Sequence, residues 1–197
     1  MQHYTYLADL FTYPEKEVLE KSVSKVNELL NEKYVECLGK IEDFKYFATT
    51  KSLDEQQEYY ISTFDIDAAC YLDIGYVLFG EDYKRGAFLV NMRNEHLKAG
   101  NDCRRELADY LPNMLRLLPK IEDRNFADEL AYSIIIPALH EMLKNFKDEV
   151  NVYKNLLEIL LQIMENDFTD LQYIQFKVLN NDKTNFLDSI NCSECKK

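Results

Sequence analysis

Turn-forming residues are what this chain lacks. Its 197 residues hold five glycines and four prolines. A sheet protein of this size needs many tight turns, and those turns draw on residues that accept a positive φ or fix a negative one. With so few of them, the sequence reads as long helices joined by short connections, an all-α fold. The apolar fraction of 47% suits a packed core and is too high for a disordered chain. One domain accommodates this length. A helical domain is expected over residues 1–180, followed by a flexible C-terminal tail over 181–197.

Apolar spacing marks the helices. Leu7, Leu10 and Phe11 form a short face that stops at Tyr13-Pro14, and Pro14 is placed at the first position of the next helix. Val18, Leu19, Val26, Leu29 and Leu30 carry that helix to Glu32, and a third covers Tyr34 to Phe47. Ser52-Leu53-Asp54-Glu55 is a capping box in which hydroxyl and carboxylate satisfy each other's backbone N–H, opening a helix to Phe64. Residues 65–80 read as a loop and a short helix punctuated by Gly75 and Gly80. Glu81 and Asp82 cap a helix from Tyr83 to Ala99, with Leu89, Val90, Arg93 and Leu97 assigned to one face and Gly100-Asn101 as its stop. Another spans Asp109 to Leu118, with Pro112 in its first turn. Phe126 to Phe146 is apolar nearly all round, hence central, and Pro137 should kink or split it near Ile136. Val150 to Met164 has the most regular period, whereas Leu171 to Leu179 suits strand or helix.

The formal net charge is −12. Such a surface repels phosphate backbones and anionic lipid and favours encounter with a basic partner. It serves equally well as plain solubility. No basic leader with an apolar run opens the chain, and the apolar stretches 134–139 and 156–164 are too short to span a bilayer. The expectation is a cytoplasmic protein with no nucleic-acid partner and no direct membrane insertion. Five cysteines, an odd number, fit a reducing compartment. Cys192-Ser193-Glu194-Cys195 has the spacing of a zinc or redox pair, but no second pair completes a four-ligand site, so it reads as part of a dispensable tail.

The chain carries no phosphate loop, dinucleotide turn, serine elbow or zinc-protease motif. None of its three histidines follows a glutamate by three positions, as a helical diiron site requires. His96 is placed near a helix end as a partly charged imidazole, and His140 in the core. No catalytic residue, metal ligand or cofactor is assigned.

Glu106-Leu107-Ala108-Asp109-Tyr110-Leu111-Pro112 sets two carboxylates and a tyrosine in the turn that opens a helix. Free N–H groups and a partial positive charge stabilise acids there. A polar cluster beside an apolar surface also suits holding a peptide. This segment belongs to a wider resemblance. Tyr59-Tyr60-Ile61-Ser62-Thr63-Phe64-Asp65, Tyr71-Leu72, Phe79-Gly80-Glu81, Lys84-Arg85-Gly86-Ala87 and Glu106 to Pro112 are similar, in order and spacing, to the motifs of the NarJ-type chaperones. These belong to the TorD/DmsD/NarJ group of redox-enzyme maturation proteins. Leu10-Phe11-Thr12-Tyr13-Pro14 resembles the family's opening motif, so the likeness spans residues 7–120. Ala108 stands where the family usually has proline, and Gly75-Tyr76 where it tends to have a polar pair.

The resemblance implies a TorD/NarJ-like single-domain bundle of about eight to ten helices. It implies a non-catalytic chaperone that binds the N-terminal peptide of the apo form of a molybdenum enzyme's catalytic subunit, nitrate reductase or a relative, and holds it for molybdenum cofactor insertion. By analogy the client-peptide site comprises Asp65, Arg85, Glu106, Asp109 and Tyr110. Asp109 would cap its own helix and offer its outer oxygen to a client cation, and Tyr110 would supply flat area and a hydroxyl. Arg85 serves equally as a structural tie to Glu81 or Asp65. Composition and helix pattern alone also suit a helical interaction module with an unrelated partner, and an enzyme would need an acid, base or metal cluster not visible here. Oligomeric state is open.

Overall fold

A computed structural model describes residues 1–66, 68–146, 150–169 and 172–178. Among them run α1 (His3–Asp9), α2 (Lys16–Lys33), α3 (Leu38–Thr50), α4 (Leu53–Phe64), α5 (Ile74–Phe79), α6 (Tyr83–Lys98), α7 (Leu111–Leu117), α8 (Arg124–Leu130), α9 (Ile136–Asn145) and α10 (Val152–Asp167). The described residues form no strand, and one isolated antiparallel bridge joins Asp73 to Tyr110. The fold is all-α, as the scarcity of turn-formers requires. The expected tail, with Cys192 and Cys195, lies outside the described residues.

The expected caps form. Ser52 Oγ accepts from Glu55 N–H at 3.3 Å, and Glu55 Oε2 accepts from Ser52 N–H at 2.9 Å. Asp82 caps α6 through Lys84 N–H, and Gly100 leaves that helix at φ 59°. Pro14 lies just outside α2, which starts after Glu15, rather than at its first position. Its carbonyl instead accepts from Gln57 Nε2 at 3.0 Å, fixing the α1–α2 corner to α4.

α10 packs between α3 and α9, and α1 packs against α2 and α7. Tyr153 of α10 is buried against Phe44, Tyr60 and Phe64, with ring centroids 5.7, 5.7 and 4.9 Å away. Edge-on contacts of this kind add to the apolar burial and hold the aromatic side of α4 against a central helix. At the other end of α10, Asp167 accepts from His3 Nε2, Tyr4 hydroxyl and Tyr34 hydroxyl at 2.9, 2.9 and 2.8 Å. Burial pushes its carboxyl up, but these donors prevail and bring it down to about 2.

Three further expectations give way. The inward face of α6 is Phe88, Met92 and His96; Val90 and Leu97 are 60% and 72% exposed. His140 is exposed on α9, with Nε2 3.1 Å from Glu165 Oε1, and is no core histidine. Residues 172–178 are neither strand nor helix. They run beside the bulge that Pro137 brings with it: residues Ala131–Ile135 widen to a π-turn ahead of α9. Pro137 has no N–H for the carbonyl of Ser133. Phe176 N–H supplies it at 2.9 Å, and the Phe176 ring rests 5.1 Å from that of Phe79.

Candidate functional site

The loop between α6 and α7 is fixed by buried polar contacts. His96, 2% exposed, has Nε2 2.8 Å from the carbonyl of Ala108 and Nδ1 2.9 Å from Asn101 Nδ2. The pattern defines the tautomer: Nε2–H donates to the carbonyl and Nδ1 accepts from the amide. Burial pushes the His96 pKa down, with the Ala108 carbonyl acting against it. The ring is therefore a neutral structural clamp, not the partly charged group expected at a helix end. Asn113 Nδ2 donates to the carbonyls of Cys103 and Leu107 at 3.3 and 3.0 Å, closing the loop onto α7.

Beyond the loop, the segment 72–74 pairs with 109–111. Ile74 N–H donates to the Asp109 carbonyl at 2.9 Å, and Leu111 N–H to the Leu72 carbonyl at 2.8 Å. This pairing carries the Asp109 side chain to the start of α5, where Oδ2 accepts from Gly75 N–H at 3.0 Å. Asp109 thus serves α5; its own helix begins after Tyr110. Its side chain is fully buried, so it offers no outer oxygen to a client. Arg85 Nε lies 3.6 Å from Asp109 Oδ2, and Arg85 Nη2 lies 3.4 Å from Asp73 Oδ2. The guanidinium also covers the Tyr76 ring at 5.2 Å. Arg85 therefore ties to Asp73 and Asp109, not to Glu81 or Asp65. Burial pushes both carboxyls up; Asp73 raises Asp109 further, and Arg85 pulls each back.

Next to this cluster, with the half-buried Asp73 on its wall, lies a groove of about 1020 Å³. Its walls are the α1–α2 corner (Tyr13, Glu15), the end of α4 (Phe64, Asp65), residues 71–73 and the loop residues 103–106. Asp9, Tyr60, Tyr110, Asn113 and Arg116 also line it. The hydroxyls of Tyr60 and Tyr110 are 2.7 Å apart, and each is 3.0 Å from the Phe11 carbonyl. Two protons serve these three approaches, so the Tyr110 hydroxyl is engaged internally and its ring is what faces the groove. Burial foremost pushes the Tyr110 phenol up to about 12. Arg116 donates to Asp9 Oδ1 at 2.7 Å, while Ser22 donates to Asp9 Oδ2 at 2.9 Å.

Of the five residues expected from sequence, Asp65, Glu106 and Tyr110 line the groove, and Arg85 and Asp109 lie behind it. The sequence reading missed Asp73, Tyr60, Arg104, Arg105 and Arg116. Tyr60 and the doublet at 104–105 lie inside or beside quoted motifs, and only their neighbours in space mark them. A second, mainly apolar groove of about 760 Å³ runs between α6 and α8 past Phe88, Met92 and Phe126, and holds none of the five. Among the described residues, no group of three or more His, Cys, Asp or Glu side chains could hold a metal ion. None of their helices is long and apolar enough to cross a membrane.

The all-helical bundle has the fold of a redox-enzyme maturation protein, and the sequence is similar to that of a NarJ-type chaperone. It is 26% identical over 166 residues to the probable nitrate reductase molybdenum cofactor assembly chaperone NarJ of Bacillus subtilis, covering 81% of this chain and 86% of the relative. A crystal structure of a putative redox enzyme maturation protein from Archaeoglobus fulgidus superposes with a TM-score of 0.57 at 17% identity, over 83% of this chain and 92% of that one. No family model matches. Both relatives carry the name of a chaperone or maturation protein, not of a catalyst.

Proposed function

We propose that this protein is a maturation chaperone for a molybdenum oxidoreductase. It holds the N-terminal segment of the apo catalytic subunit in the groove between α4 and the loop before α7 while the molybdenum cofactor is inserted, and it catalyses no reaction of its own. The observation that carries this reading is convergence. Tyr13, Asp65, Tyr71 and Tyr110 come from four separate motifs of the sequence likeness and line one groove. Asp65 and Glu106 are exposed at its edge and available to cations, while Tyr13 and Tyr110 offer flat apolar area at low entropic cost. Arg85 and Asp109 act as positioning residues, since they fix the 72–74 and 109–111 segments from behind. Holding followed by release calls for an affinity of about −8 to −12 kcal/mol.

Pull-down from the source cell should return a molybdenum-enzyme catalytic subunit. A peptide of about twenty residues from that subunit's N-terminus, long enough to fill a groove, should bind the purified chain in calorimetry. Asp65→Asn with Glu106→Gln should raise Kd about threefold to tenfold with unchanged helicity. Unchanged affinity in the folded double variant would remove the two acids from the site. A wild-type chain that binds no such peptide would refute the reading.

A further inference from the structure

The groove is not charged with one sign. Asp9 is engaged by Arg116 at 2.7 Å, and Asp73 by Arg85 at 3.4 Å. Glu15, Asp65 and Glu106 line the groove with no ion-pair partner among the described residues. So do Arg104 and Arg105, both exposed. The two arginines are held at the lip by a tight loop. Arg104 has φ 55°, its N–H donates to Asp102 Oδ1 at 2.8 Å, and Glu106 N–H donates to the Cys103 carbonyl at 3.1 Å. With Asn113 closing the same loop onto α7, the guanidinium pair belongs to the groove and is not carried on a free flap.

An all-basic segment would meet two uncompensated guanidiniums, and an all-acidic one would meet Glu15 and Asp65. Like charges facing each other across an interface exclude wrong partners more strongly than matched pairs reward right ones. Resting on the peptide-holding reading above, we propose that the segment this groove takes is mixed in charge. Its cations face Glu15 and Asp65, and at least one carboxylate is read by Arg104 and Arg105.

The probe is the fluorescein-labelled N-terminal peptide of the catalytic subunit recovered by pull-down, titrated against the full chain by anisotropy. With wild-type protein, replacing the peptide's acidic residues by Gln should raise Kd about threefold each, the size of an exposed ion pair. Arg104→Gly with Arg105→Glu should raise Kd for the natural peptide about tenfold. Gly suits the left-handed backbone at 104, so the loop is retained. A peptide whose acids are changed to Lys should bind this variant better than it binds wild type. If the peptide contains no acid, if its acids are neutral to binding, or if the variant binds more tightly, the inference fails while the holding function stands. If wild-type chain binds no peptide at all, the holding function fails and the inference with it.

Discussion

At position 75 the backbone of α5 passes so close to Asp109 that a side chain has no room. A Cβ there would lie 2.7 Å from Asp109 Oδ2 and 3.0 Å from Phe88 Cδ1. Gly75→Ala must therefore push the fully buried carboxylate off the Gly75 N–H or shift the half-buried Phe88 ring of α6. Overpacking of this kind costs about 1–3 kcal/mol. Urea unfolding should show stability lower by that amount, read as a lower midpoint at unchanged slope, and an unshifted midpoint would mean that the Asp109 contact is slack. Asp109→Asn keeps an acceptor for Gly75 and removes a buried charge, so it should be milder than Asp109→Ala, which orphans the N–H. At Gly75-Tyr76 glycine admits the carboxylate, and the tyrosine ring lies under Arg85. None of this could be read from sequence, because Gly75 and Asp109 lie 34 residues apart.

Among elements, what depends on neighbours along the chain was readable and what depends on neighbours in space was not. The capping box at Ser52, the stop at Gly100 and the period of α10 are local, and each forms where the sequence puts it. α6 shows the limit. Its polar and apolar residues do not segregate cleanly, and the buried face was decided by what waited there: Ala108 and Asn101 for His96. The groove likewise needed the Asp73–Tyr110 bridge, which joins two short segments without strand character of their own. At Pro137 the sequence signalled a break, and the structure shows its use. A carbonyl freed within a continuous helical run anchors the segment 172–178. Pro137→Ala restores an N–H that competes for Ser133. The Phe176 amide should then exchange faster by up to about tenfold, the loss of one hydrogen bond of about 1 kcal/mol. Unchanged exchange would assign the anchoring to the Phe79–Phe176 ring contact instead.

For the whole molecule, the response to acid gathers these local arrangements into one curve. Asp167, held at about 2, contributes stability present above its ordinary value and lost as pH falls toward 2. Asp73 and Asp109 are raised by burial and act in the opposite sense. Their folded forms keep protons longer than the unfolded chain does, so their contribution shrinks as pH climbs above the ordinary 3.8. His96, lowered by burial, binds protons more weakly in the folded state than its ordinary 6.5. Its contribution is complete above 6.5 and is lost as pH falls below it. The histidine and the two buried acids thus respond to falling pH with opposite signs, and a single melting curve conceals the separate contributions. The difference between wild type and His96→Gln separates them, because Gln keeps a donor for the Ala108 carbonyl and an acceptor for Asn101 but takes up no proton. Melting temperatures measured from about pH 8 down to about pH 5 should give a constant difference above the ordinary histidine value and a shift in favour of the variant below it. Because the clamp holds Ala108, two residues before Tyr110, peptide affinity of the wild type should weaken over the same interval and that of the variant should not. Parallel melting curves across the whole range would mean that protonated His96 is accommodated in place, and the loop would then owe its position to Asn113 and the pairing of 109–111 with 72–74.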